Sequence, residues 1–96
     1  MLQYLITYDL HKIRNYQKLY QLMATWKATR LTESLWMANL LGPAAVIRDF
    51  VSATLDNDDT VAVVQLQKGT DWATVRIPSA ATGWLSAHVT PAQAAA

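Results

Sequence analysis

Apolar and polar residues alternate along the first strand-length stretch, and the period then lengthens to that of a helix. Gln3–Asp9 is rich in Tyr, Ile and Thr and predicts a strand. Leu2, Tyr4, Ile6 and Tyr8 make one apolar face; Gln3, Leu5, Thr7 and Asp9 make a mixed one. Tyr16, Leu19, Tyr20, Met23 and Trp26 then recur at helical spacing, with Asn15 placed to cap the helix. Ala28–Leu31 and Ser34–Asn39 predict two short strands around a Thr32-Glu33 turn. Gly42-Pro43 opens a second helix, with Pro where a first turn tolerates it. Its apolar stripe is Ile47, Phe50, Val51 and Leu55, and Asp56-Asn57-Asp58-Asp59 stops it. Thr60–Gln67 predicts a strand, Lys68–Asp71 a turn and Trp72–Ile77 a fifth strand. Pro78-Ser79 starts a short final helix reaching Leu85 or His88.

The order is β-α-β-β-α-β, followed by an extra strand and a helix. This is the split βαβ arrangement of ferredoxin-like α+β folds. Right-handed crossovers place strand 3 between strands 1 and 2, with strand 4 on the other side of strand 1 and two helices on one face. Residues 1–90 form one domain on this reading, and residues 91–96 a tail. Both sheet faces are apolar in strands 3 and 4, yet the two helices cover only one. A second subunit is therefore expected over the other face or an edge, most simply through a two-fold axis.

Composition narrows the class. The chain has 96 residues, 52% hydrophobic and 16% charged, which excludes a disordered polymer. No uncharged apolar run is long enough to span a bilayer, and Asp9 follows Met1 too closely for a signal peptide. There is no Cys, so disulfides and thiolate metal sites are excluded, and a cytoplasmic location is the default expectation. The net charge is +1, but it is segregated. Lys12, Arg14, Lys18, Lys27 and Arg30 cluster without an acid between them, whereas Asp49, Asp56, Asp58, Asp59 and Asp71 face only Arg48 and Lys68. Such blocks are solvated faces or phosphate-attracting surfaces.

The topology brings Asp9, Glu33, Asp56, Asp58 and Asp59 to one sheet edge, together with His11, Lys12 and Arg14. Oxygen ligands beside cations suit a hard metal and a phosphate. Asp56–Asp59 also has an ordinary reading as a helix stop. A triad of Ser34 with His11 or His88 lacks the Gly-x-Ser-x-Gly turn. With three Gly in the chain there is no Gly-rich phosphate loop. Trp26, Trp36, Trp72 and Trp84 read as core and interface residues.

Four segments carry a resemblance. "YLITYDL" (Tyr4–Leu10), Arg14, "RLTESLWMANL" (Arg30–Leu40) and "GPAAVIRD" (Gly42–Asp49) are, in order and spacing, similar to the CRISPR-associated endonuclease that forms the smaller subunit of the spacer-acquisition complex. They resemble its short stand-alone relatives more, and virulence-associated protein D more distantly. The resemblance covers roughly residues 3–75. Thr32 stands where the family usually has Gln, Met37 where it has an acid, and the start of helix 1 holds fewer Arg. The resemblance implies a homodimer with Mg²⁺ shared by two Asp9 carboxylates across the interface. It implies roles for Arg14 and Ser34 at the same site, a fifth strand added to the partner's sheet, an integrase subunit as a further partner and a part in antiviral defence. Lys12 and Lys18 are the expected phosphate contacts. Three functions stay open on these residues: a metal-dependent endonuclease on RNA or DNA, a non-catalytic dimeric binding module, and a toxin-like ribonuclease.

Overall fold

The computed structural model describes residues 1–11 and 16–89. Seven elements follow one another: β1 (Leu2–Asp9), α1 (Gln17–Thr25), β2 (Thr29–Thr32), β3 (Leu35–Leu40), α2 (Ala44–Ser52), β4 (Thr60–Leu66) and α3 (Ser79–His88). The strands form one antiparallel sheet in the order β2-β3-β1-β4, the winding expected for a ferredoxin-like α+β fold. The expected cap Asn15 and the expected tail, residues 91–96, lie outside the described residues.

Strand alternation builds the first core. Tyr4, Ile6 and Tyr8 are buried on one face of β1. They pack with Leu19 and Met23 of α1 and with Ile47 and Val51 of α2. Each such aliphatic side chain contributes roughly 1.5–3 kcal/mol by leaving water. The helical stripes are narrower than their periodicity suggests, since Tyr20 and Phe50 stay largely exposed. Gly42 ends the β3–α2 connection at φ +77°, where an added Cβ would collide with the Tyr4 hydroxyl.

The opposite face corrects two expectations. It is covered within the chain, by α3: Ala81, Trp84, Leu85 and Val89 bury Met37 and pack against Leu5, Leu35 and Leu66. Trp72–Ile77 is no strand but an irregular connection, bent at Val75–Arg76, leading into α3. Arg76 takes a left-handed conformation, φ 55°, that a β-ladder does not accommodate. The following Pro78 supplies no amide donor. Trp72 and Ile77 pack into the second core, and the Trp72 indole N–H donates to the Val89 carbonyl at 2.7 Å. What stays open is a strip beside Asp9, where a shallow hollow is lined by Thr7, Asp9, Thr60 and Ala62. Farther along β4, Val64 is 53% exposed.

Candidate functional site

The ends of β1 and β2 and the β2–β3 turn converge on a cavity of about 200 Å³. Its walls include Tyr8, Asp9, Tyr20, Arg30, Glu33 and Ser34. Asp9 and Ser34 come together because the Tyr8 amide donates to the Ser34 carbonyl at 3.1 Å, where β3 begins beside the end of β1. The Asp9 carboxylate is exposed and makes no hydrogen bond or ion pair within the described residues. Glu33, a second acidic residue, lines the same cavity.

Arg30 is the cation there, and it is held in place. Its guanidinium lies 5.5 Å from the Tyr20 ring centroid and 5.1 Å from that of Trp36. Its Nε donates to the Glu33 carbonyl at 2.9 Å, and Nη2 donates to the same oxygen. Stacking of this kind contributes roughly 0.5–1 kcal/mol at exposed positions. Trp36 is fixed in turn by its indole N–H, which donates to the Tyr8 hydroxyl at 2.9 Å. The register explains the contact: Arg30 and Trp36 are cross-strand partners, as are Trp36 and Ile6. Sequence reasoning counts Arg30 only among the basic residues. The signal for more was the Arg30/Trp36 pairing, which appears only once the register is known.

The remaining expected residues divide. Lys12 and Arg14 lie outside the described residues. Lys18 lines a different cavity, with Gln21, Leu55 and Asp56. Asp56, Asp58 and Asp59 bring one carboxylate oxygen each within 4.8 Å of one another, the one cluster of three metal-type side chains among the described residues. Asp59 also does structural duty there. Its Oδ1 accepts the His11 amide at 3.0 Å, and its Oδ2 accepts the Tyr16 hydroxyl at 3.0 Å and the Asp56 amide at 2.9 Å. His88 sits against Asn39, near the opposite end of β3 from Ser34, and stacks on Trp84. No Ser34–His88 pair forms.

No protein-family model matches the chain, and no curated protein matches it. Among solved structures, the crystal structure of a hypothetical protein from Thermus thermophilus is similar. The TM-score is 0.59 at 18% identity, over 80% of this chain and 94% of that one. The likeness shows the fold, an α+β sheet of ferredoxin-like order. No helix among the described residues is long and apolar enough to cross a membrane.

Proposed function

We propose that the protein is a homodimeric, metal-dependent endonuclease acting on RNA or DNA phosphodiesters, centred on Asp9. The observation that supports this most is the cavity lined by Asp9, Glu33, Ser34 and Arg30, in which the Asp9 carboxylate makes no hydrogen bond or ion pair within the described residues. The anionic donors are all carboxylate oxygens, the kind a hard divalent cation such as Mg²⁺ takes. Asp9 of each protomer, with Glu33 beside it, would hold the ion; when bound, it supplies Lewis-acid polarisation of a phosphoryl oxygen and an activated water. The chain's own groups do the rest. The Arg30 guanidinium, pre-positioned between two rings, binds the phosphate. The Ser34 hydroxyl donates to a phosphoryl oxygen. Arg14, by the family resemblance, and Lys12, by its charge, would add positive charge, which supports the same reading.

The dimer is supported by the open β4 edge and the uncovered strip along Thr7, Ala62 and Val64, beside Asp9. A two-fold axis passing beside Asp9 and Thr60 would bring two Asp9 residues together. The experiment is cleavage of labelled single-stranded RNA, single-stranded DNA and duplex DNA with Mg²⁺, with Mn²⁺ and with chelator. Metal-dependent cutting that Asp9→Asn abolishes is the expected result. Cleavage confined to RNA would narrow the reading to a toxin-like ribonuclease. A wild-type protein inert on all three substrates overturns it.

One observation favours a second reading, a non-catalytic binding module. The end of the molecule remote from Asp9 is an uncharged apolar surface in which Leu41 is 80% exposed and Phe50 57%, with Met1 and Val46 beside them. Surfaces of that kind are protein contacts. An integrase subunit is the partner the resemblance implies, and co-purification of the two chains tests it.

A further inference from the structure

The Asp9 cavity does not end at Arg30. A groove of about 670 Å³ runs along the outer side of β2. One wall carries Arg30, Leu31 and Glu33; the other carries Val75, Arg76 and Ile77. Arg30 and Glu33 line both spaces, so groove and cavity adjoin at these two residues.

Arg76 is the feature of this groove that the cavity alone does not explain. Its side chain is exposed and makes no hydrogen bond or ion pair within the described residues. Its backbone sits at φ 55°, a conformation that long side chains seldom adopt. The segment carrying it is pinned on both sides, by Trp72 through the Val89 carbonyl and by Ile77 in the second core. Val75, next to it, is 68% exposed. A free guanidinium and a free apolar side chain thus stand together on an anchored wall. Two guanidinium groups oppose one carboxylate along the groove.

We propose that this groove is the track of a single-stranded nucleic acid leading to Asp9. Arg76 takes a phosphate one or more positions away from the one held at Arg30, and Val75 and Leu31 give unstacked bases an apolar surface. A positively charged groove that follows the backbone is one half of how sequence-tolerant single-strand sites are built; here aliphatic side chains stand where such sites usually carry aromatic ones. A duplex keeps its bases inside and would leave the apolar wall unused. The inference rests on the nucleic-acid part of the reading above and is independent of cleavage.

The test is fluorescence anisotropy of labelled single strands of about twelve nucleotides, RNA and DNA, in chelator so that nothing is cut. Asn tolerates the left-handed conformation, so Arg76→Asn removes the charge while keeping the backbone. Its melting temperature should match the wild type. The expected result is a several-fold rise in Kd and a salt slope shallower by about 0.7, the loss of one phosphate contact on a single strand. Arg76→Lys should restore the slope, and Val75→Glu should weaken binding without unfolding. An unchanged Kd and slope in Arg76→Asn overturns the proposal, as does a wild type that binds no single strand. Equal affinity for a duplex of the same sequence overturns the single-strand assignment. Cleavage by the wild type with Arg76-independent binding sinks this groove and leaves the nuclease standing. Arg76-dependent binding without cleavage does the reverse.

Discussion

The indole N–H of Trp36 donates to the Tyr8 hydroxyl at 2.9 Å and so ties β3 to β1 beneath the Arg30 stack. Tyr8 is buried and lines the Asp9 cavity, so this one bond joins the core to the candidate site. Trp36→Phe keeps a ring under the guanidinium but removes the donor. It should cost about 1 kcal/mol by denaturant unfolding. Tyr8→Phe made in the Trp36→Phe background should then cost less than it does in the wild type, because the bond is already gone. Strict additivity of the two would show that the bond contributes nothing.

Helix α1 closes with an unusual residue. The Ala28 amide donates to the Met23 carbonyl at 2.9 Å and the Lys27 amide to the Ala24 carbonyl at 3.0 Å, the paired bonds of a Schellman ending. The residue in the left-handed position is Lys27, at φ 53°, where Gly is the usual occupant. Lys27→Gly should therefore stabilise the fold by roughly 0.5–1 kcal/mol, the side-chain strain at φ > 0 outweighing the added backbone entropy of the unfolded chain. A lower melting temperature would mean that the Lys27 side chain contributes more than its backbone costs.

Asp59 distinguishes a structural carboxylate from a metal ligand. It holds the His11 and Asp56 amides and the Tyr16 hydroxyl, and Tyr16 is buried. Asp59→Ala removes one acceptor from three donors and should cost about 2–3 kcal/mol. Mg²⁺ bound at Asp9 should raise the melting temperature of the wild type by mass action. That increment should vanish in Asp9→Asn and persist in Asp58→Asn. The opposite pattern in thermal denaturation would move the metal to the acidic turn.

Strand order and the meeting of Asp9 with Glu33 at one sheet edge were legible in the sequence because both follow from topology, whereas Ser34 entered only through the family resemblance. Once β-α-β-β-α-β is read, the end of β1 and the β2–β3 turn have one sensible placement. The fifth strand was misread because Trp72, Val75 and Ile77 have strand-like composition. Nothing local announces that Arg76 adopts a left-handed conformation. The cover of the second face was missed for a related reason. Ala81, Trp84 and Leu85 form a helical stripe, but Thr82 and Gly83 between them dilute it, and only the fold shows which face it meets. The grip on Arg30 depends on register with Trp36, a pairing set by a bulged ladder that no single segment encodes.

The oligomeric state turns on β4. This edge strand, Thr60–Leu66, carries no charge, no Pro and no Gly, and it is one of the two open edges of the sheet. Natural edges of that length are usually protected by a charge or a bulge, because free amides and carbonyls invite another strand. Among the described residues the protection stops short: α3 covers Leu5 and Leu66 but leaves Val64 53% exposed. A second protomer would pair or pack along this edge and close the strip beside Asp9. Sedimentation at micromolar concentration should then give about twice the 10.7 kDa monomer mass. Val64→Lys places a charge at the middle of the strand without touching the buried face that holds Ile6 and Val63. It should yield a folded monomer. In the same variant, metal-dependent cleavage should fall with the dimer, since the second Asp9 leaves with the partner. A wild type that sediments as a monomer would remove the paired carboxylates, and a monomeric Val64→Lys with full activity would confine the site to a single chain.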